Sequence, residues 1–167
     1  MGPLYCITEY EERLLAIKES YRLLKDDGAL FSAALTPYSV LIPRIAVYHT
    51  ENKKKNELDD PAIMAIIERA LADGCWINPE RKVASGLGNS HLHTAAALKE
   101  ELLCGGFITS SVHGMMGGAW LAPNLNELLD NEKTRNILMR TVRMLDGHEE
   151  IIGLSGHLLA VSKKQIG

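Results

Sequence analysis

The stretch RLLKDDGALFSAAL, residues 22–35, sets the architecture that this sequence predicts. Its first residues end an amphipathic helix, and its last seven are apolar apart from one serine. Such a run is typical of a strand buried on both faces, as the strands of a parallel sheet are. Gly28 stands between the two and suits the left-handed backbone that closes many helices. A helix that leads directly into a buried strand predicts an α/β domain.

The helix before this strand carries one apolar stripe. Its large side chains recur at steps of three and four residues: Tyr10, Leu14, Ile17, Tyr21 and Leu24. Thr8 and Glu11 have the spacing of a capping box, in which each side chain accepts the other's backbone N–H at a helix start. The helix is therefore predicted to begin with this pair and to bury one face.

Helices and strands alternate along the rest of the chain. Asp60-Pro61 is typical of a helix start and Gly74 of its end, and Thr94 is predicted to cap a helix over residues 95–104. Strands are predicted over residues 107–112 and 157–162, with a helix over residues 125–145 between them that breaks near Asn131.

Between residues 36 and 90 the apolar periodicity that marks helices and strands is less regular. A connection of this length is usually functional. We interpret it as a lid or insertion. The whole chain, residues 1–167, is predicted to form a single domain, because its length suits one core but not comfortably two.

Composition and charge exclude several classes of function. A formal net charge of −3 gives no field that would gather nucleic acid or an anionic membrane. No run approaches the roughly 20 apolar residues that a bilayer span needs. Three cysteines at unrelated spacings, Cys6, Cys75 and Cys104, fit a reducing compartment better than a disulfide framework. We therefore expect a cytoplasmic protein that binds neither nucleic acid nor membrane.

Several segments resemble, in the same order, the carboxy-terminal half of class I S-adenosylmethionine-dependent methyltransferases. They are GPLY at residues 2–5, RLLKDDGALF at 22–31, His93, ELL at 101–103, GF at 106–107, GAWL at 118–121 and LSGHLLAV at 154–161. Cys6 stands where the family usually has histidine, and Asp26-Asp27 replaces its Pro-Gly. The resemblance covers essentially the whole chain and implies a methyltransferase present as a truncated carboxy-terminal portion.

The resemblance implies the C-terminal half of a Rossmann-like class I methyltransferase fold, in three layers, with about three strands and about four helices. In the family's sheet order, the strand at 157–162 lies antiparallel between those at 29–35 and 107–112. The strand Ala29–Leu35 then becomes an exposed apolar edge, which invites pairing with another chain. We therefore expect a homo-oligomer formed through this edge.

The resemblance also implies the site. Its cofactor, S-adenosylmethionine, would lie beside the segment Gly2, Pro3, Leu4 and Tyr5, because an aromatic face tolerates a cationic sulfonium. The substrate or lid positions are three further residues: Tyr38, His93 and Trp120. For Tyr5 and Trp120 the alternative is plain packing in the core or an interface. No catalytic residue is identified.

The glycine-rich turn that holds the cofactor in this family is absent. The only Gly-x-Gly is Gly86-Leu87-Gly88, which no strand pattern precedes. The methyl acceptor is expected to be a small molecule, since no basic stripe or stacking platform for nucleic acid is present.

Histidines suggest a metal site but do not complete one. His91 and His93 face the same way on an extended segment, yet no third histidine, cysteine or carboxylate stands at ligand spacing. The sequence therefore predicts no metal site. Two functional classes stay open, a methyltransferase and a non-catalytic remnant of that fold that acts by association. A metal-binding protein is a third, which would require zinc or iron in the purified chain.

Overall fold

The computed structural model describes residues 4–46, 57–78 and 87–164 of the chain. These ranges form six α-helices: α1 (Tyr10–Leu23), α2 (Ile42–Ala46), α3 (Pro61–Asp73), α4 (Ala95–Cys104), α5 (Leu125–Asp130) and α6 (Glu132–Leu145). They also form five strands: β1 (Ala29–Leu35), β2 (Cys75–Trp76), β3 (Ser90–His91), β4 (Thr109–Gly114) and β5 (His157–Lys163). The predicted α/β character is confirmed, although the expected four helices omitted α2 and counted α5 and α6 as one.

The main sheet has the strand order β1-β5-β4. The last strand of the chain, β5, lies in the middle and is antiparallel to both neighbours. It follows that β1 and β4 are parallel to each other, with α4 on the connection between them. The sheet order predicted for these three strands is confirmed. The antiparallel position of β5 between β1 and β4, which the resemblance implies, is confirmed as well.

The two faces of this sheet differ in burial. Ala34, Leu158 and Val112 stand on one face and pack with Ile17 of α1 and Leu98 of α4 into the first apolar cluster. The opposite face, which we call the open face, carries Phe31, Ala33, Leu159, Val161, Ser111 and His113 in cross-strand rows, all of them half-buried or exposed. Burial of β1 on both faces, and with it the three-layer arrangement, is therefore not found in the part of the chain that is described.

A second apolar cluster forms around α3. Its buried members come from the end of β1 and the turn after it, from α3, from β2 and from the residue after β3: Leu35, Val40, Ile63, Ile67, Ala70, Trp76 and Leu92. Residues 36–90, which the sequence assigns to a lid or insertion, thus contain a packed helix and a two-stranded pair rather than a structureless loop. Residues 47–56 and 79–86, which include Gly86, lie outside the described ranges. The function of the segment as a lid stays a prediction.

Local capping signals account for four of the helix ends. Asp60 accepts a hydrogen bond from the N–H of Ala62, and Gly74 closes α3 with φ of 77°. Thr94 accepts one from the N–H of Ala97 at the start of α4. Asn131 separates α5 from α6 and caps the latter. The predicted helix ends at Asp60, Gly74 and Thr94 and the predicted break near Asn131 are confirmed, because each depends only on groups within one helical turn.

Two predicted caps around α1 are wrong. The helix begins at Tyr10, and its N-cap, Glu9, makes no side-chain hydrogen bond to the helix. The hydroxyl of Thr8 instead lies 3.5 Å from the Glu9 carboxylate. At the other end Asp27 rather than Gly28 takes the left-handed conformation, with φ of 61°. An aspartate tolerates this conformation better than most side chains do.

Two simpler expectations concern covalent links and membranes. No disulfide joins the three cysteines, all of which are described. Among the helices of the described ranges, none has both the length and the apolar character that crossing a bilayer requires.

Gly105, at the end of α4, provides a test of the packing between α1 and α4. A Cβ atom there would lie 2.1 Å from Cγ2 of the buried Ile17. We expect Gly105→Ala to lower the free energy of unfolding by about 1–3 kcal/mol, the usual cost of overpacking a core. Urea unfolding followed by circular dichroism measures this change.

Gly88→Ala is the matched control, because no atom of the described ranges lies within 4 Å of a Cβ atom built there. Its free energy of unfolding should stay within about 0.5 kcal/mol of the parent, as for most surface substitutions. Equal effects of the two alanines would contradict the close contact between α1 and α4.

Candidate functional site

A cavity of about 600 Å³ opens at the carboxyl end of β1. Its wall comes from three parts of the chain: Thr36 and Tyr38 after β1, Thr94 and Ala95 at the start of α4, and residues 149–154 before β5. Ligands of open α/β sheets bind outside the carboxyl ends of the parallel strands. This cavity is therefore the candidate site for a small molecule, and its size is within the usual range for one.

Two side chains that follow β1 hold the cavity wall by contacting the backbone of the loop before β5. The hydroxyl of Thr36 donates a hydrogen bond of 3.0 Å to the carbonyl of Gly153. The Tyr38 ring lies so close to Gly153 that a Cβ atom there would be 2.8 Å from it. Glycine is therefore required where the Tyr38 ring meets the loop before β5. The predicted substrate position of Tyr38 does line the cavity.

One ion pair lies at the rim. Nζ of Lys99 is 2.8 Å from Oε1 of Glu149, and both side chains are exposed to solvent. The hydrogen bond from Lys99 lowers the pKa of Glu149 below its ordinary value. Such exposed pairs contribute little to stability, so this pair is a feature of the cavity rim rather than a support of the fold.

Trp120 and His93 do not line the cavity. The indole N–H of Trp120 donates 2.8 Å to the carbonyl of Leu154, a cavity residue, and the ring packs on Gly156. Trp120 therefore holds the loop before β5 from behind. His93 is completely buried, but the residue after it, Thr94, lines the cavity. Of the three predicted substrate positions, the structure brings only Tyr38 to the cavity wall.

The predicted cofactor segment is described only in part. Gly2 and Pro3 lie outside the described residues. Leu4 is buried in the first apolar cluster, whereas Tyr5 is half-buried and packs against the second. Neither residue contributes to the cavity wall, so their packing accounts for both side chains, and a cofactor role for them stays a prediction.

A buried polar network lies beside this segment. Nη2 of Arg13 on α1 is 2.7 Å from Oε1 of Glu101 on α4, and the Arg13 Nε is 3.1 Å from the same oxygen. Oε2 of Glu101 lies 3.0 Å from Nε2 of His93. The remaining Arg13 nitrogen, Nη1, donates to the carbonyls of Ile7 and Thr8. The network therefore fixes the chain that follows the predicted cofactor segment.

This network also positions the cavity. The N–H of His93 donates 2.7 Å to the carbonyl of Leu35, the last residue of β1. Thr36, which follows Leu35, and Thr94, which follows His93, both line the cavity. The cavity wall is thus set by a hydrogen bond between two chain segments that the buried network holds together.

The network determines the protonation of its members. Burial by itself would raise the pKa of Glu101, but hydrogen bonds from His93 and Arg13 outweigh it and lower the pKa to about 2. Burial, together with the neighbouring His93, lowers the pKa of His91 to about 4. At neutral pH Glu101 is therefore a carboxylate and His91 is uncharged.

Glu101 is the residue that sequence reasoning missed. Atoms of His91, His93 and Glu101 that could bind a metal ion lie within 4.8 Å of one another, whereas the sequence argument found no carboxylate at ligand spacing. The guanidinium of Arg13 holds both oxygens of this carboxylate and disfavours a second cation there. A signal was present, because Glu101 stands between Leu98 and Leu102 on the buried stripe of α4.

Comparison with known proteins finds no family model, no curated protein and no solved structure that matches this chain. The functional argument therefore depends on its own residues.

Glu101→Ala tests the network. We expect it to lower the free energy of unfolding at pH 7 by about 3–5 kcal/mol, because it leaves the buried Arg13 charge without its carboxylate partner. Glu101 has a lower pKa in the folded chain than its ordinary value of 4.5, so its stabilising effect is present above that value and is lost on acidification towards about pH 2. The difference between variant and parent should shrink in that pH range. Urea unfolding at several pH values measures it.

Glu100→Ala, one residue earlier on α4, is the control, since Glu100 is exposed. It should unfold within about 0.5 kcal/mol of the parent at pH 7. A similarly small loss for Glu101→Ala would show that the buried pair does not support the fold.

Proposed function

We propose that this chain is the carboxy-terminal, acceptor-side portion of an S-adenosylmethionine-dependent methyltransferase that acts on a small molecule. The observation that carries the proposal is the strand order β1-β5-β4, in which a late antiparallel strand separates two mutually parallel strands. This order is the one that the resemblance to class I methyltransferases implies for the end of a Rossmann-like sheet.

The cavity supports the choice of acceptor. It lies at the carboxyl end of β1, between Tyr38 and the start of α4, where an α/β fold binds its ligands. The net charge of −3 argues against nucleic acid as acceptor. A volume of about 600 Å³ suits a small organic molecule. We also place the protein in the cytoplasm, because its three cysteines form no disulfide.

The described residues fit only part of S-adenosylmethionine. Tyr5 offers an aromatic face to a sulfonium. In the described ranges, however, no glycine-rich turn leads from a strand directly into an α-helix, since the glycines after β4 lead into a 3-10 helix over Ala119–Leu121. The three strands of the main sheet end in Leu35, Gly114 and Lys163 rather than in a carboxylate. These ranges therefore supply neither contact to the nucleotide moiety, and cofactor binding by this chain depends on the Tyr5 segment. The reaction supplied by the cofactor is methyl transfer from sulfur, and we derive no step of it.

What the chain's own residues would do is position the acceptor and exclude water. Arg13 fixes the carbonyls of Ile7 and Thr8, and His93 fixes the end of β1. The same buried network thus holds both the cavity proposed for the acceptor and the segment that contains Tyr5. Such positioning is the main contribution that a protein makes to an in-line displacement.

Titration calorimetry of the purified chain with S-adenosylhomocysteine tests the cofactor proposal. We expect saturable binding at one site per chain with Kd about 100 µM, which corresponds to roughly −5.5 kcal/mol. Tyr5→Ala should weaken it at least about fivefold, because the aromatic contact is lost.

Tyr10→Ala is the control, since this exposed tyrosine lies on α1 just after the segment, and it should leave the affinity unchanged. No saturable heat up to about 1 mM ligand would overturn the proposal that this chain binds the cofactor.

A second candidate function, a non-catalytic chain that associates with its own copies, is favoured by the exposure of β1. Phe31 is 57% exposed on the open face, and β1 pairs only with β5 among the described strands. The carbonyl of Leu35 is occupied by His93, so the available edge is the part of β1 before it. Unpaired edges of this kind recruit further strands.

Sedimentation equilibrium tests this association. We expect a dimer at micromolar concentration that Phe31→Lys converts to a monomer, because a charge on an edge strand opposes pairing. Leu15→Lys, at a site on α1 that is 65% exposed, should leave the dimer intact. A monomeric parent chain would exclude this function, and equal dissociation by both lysines would exclude β1 as the interface.

A further inference from the structure

Three side chains on the open face form a Ser-His-Asp arrangement that the proposed function does not use. Nε2 of His113 lies 3.0 Å from Oγ of Ser111, and both residues are on β4. Nδ1 of His113 lies 3.0 Å and 3.2 Å from the two carboxylate oxygens of Asp146, which directly follows α6. Ser111 and His113 are two residues apart on one strand, so their side chains stand on the same face.

Asp146 is held firmly enough to orient the imidazole. Its Oδ1 accepts a hydrogen bond of 3.1 Å from the N–H of Gly114. Its own N–H donates 3.0 Å to the carbonyl of Val142 at the end of α6. A carboxylate against Nδ1 favours the tautomer that carries its proton there. Nε2 then keeps a lone pair toward the Ser111 hydroxyl, which is the relation of base to nucleophile in serine hydrolases.

An apolar surface lies next to the hydroxyl. Ser111 is directly opposite Val161 on β5, which is opposite Phe31 on β1. In the next row His113 is opposite Leu159. Side chains directly opposite each other on one face are about 5 Å apart. An acyl chain attached to Ser111 would therefore pack on Val161 and Phe31, which shield one side of the acyl chain from water.

The free edge of β4 offers a donor for the developing oxyanion. The N–H of Met115 points to β5, where it donates to the carbonyl of His157, and that of Gly114 points away to Asp146. Backbone groups alternate in direction along a strand of an antiparallel pair. The N–H of Val112 accordingly points away from β5, beside Ser111. An N–H of the residue after the nucleophile is a common oxyanion donor.

We propose that Ser111, with His113 as general base and Asp146 as a positioning residue, hydrolyses esters of short apolar carboxylic acids. Oγ of Ser111 bonds to the acyl carbon while its proton moves to Nε2 of His113. The bond from the acyl carbon to the alcohol oxygen then breaks, and His113 returns the proton to that oxygen. Water adds to the acyl-serine by the same route, with its proton passing through His113, and releases the acid and the free hydroxyl of Ser111.

Two reagents test this site in the full chain: a fluorophosphonate, which phosphonylates activated serines, and p-nitrophenyl butyrate. We expect one phosphonyl adduct per chain, mapped to Ser111 by mass spectrometry, and hydrolysis of the ester above the background rate. Ser111→Ala and His113→Gln should each lower kcat at least about 100-fold. Asp146→Asn should lower kcat at least about tenfold and leave KM within about twofold, since it orients His113 without touching the ester.

Ser20→Ala and His157→Gln are the controls, because Ser20 lies on α1 and His157 is exposed at the start of β5. Both should keep the parent activity, and circular dichroism shows which variants remain folded. No adduct at Ser111 in the folded parent chain, or equal hydrolysis by parent and Ser111→Ala, would overturn the proposal. The result is independent of S-adenosylhomocysteine binding, which uses neither Ser111 nor His113.

Discussion

The buried ion pair between Arg13 and Glu101 is the contact on which the rest of the structure depends. The side chains are 3% and 8% exposed, so each charge would be costly without the other. The pair joins α1 to α4 across a sequence separation of 88 residues. Its remaining hydrogen-bonding groups reach the carbonyls after the 4–6 turn and the ring of His93. One charge pair thus links a helix, a turn and the segment that ends β1.

The two apolar clusters meet at this network. Ala34 belongs to the first cluster and Leu35 to the second, so β1 passes from one to the other at its last residues. Leu92 packs in the second cluster, and His93 beside it bonds to the carbonyl of Leu35. The cavity lies next to the residues that follow Leu35 and His93. Its position is therefore a consequence of core packing rather than of any single local motif.

The open face of the sheet differs from the helix-covered face because it carries exposed apolar side chains beside polar ones. Helices α1 and α4 cover one face, whereas Phe31 and Val161 on the other face belong to neither apolar cluster of the described residues. Ser111, His113 and Asp146 stand at the margin of that apolar surface. The cavity is lined by the start of α4 and the hydroxyl of Ser111 is on the open face, so the two sites are distinct. Each has its own apolar wall and its own polar groups, and each can be tested without the other.

The sequence by itself determined the helix ends at Asp60, Gly74, Thr94 and Asn131, because a cap involves only neighbouring backbone groups. It also determined where the strands of the main sheet lie, to within two residues, and resemblance supplied their order. Tertiary structure alone decided that β1 is buried on one face, that Glu101 meets His93, and that Asp146 reaches His113. Asp146 and His113 are 33 residues apart, and Arg13 and Glu101 are 88 apart. The contact between Glu101 and His93 depends on which face of α4 turns inward. Local sequence patterns predict neither, because both are set by the packing of distant segments.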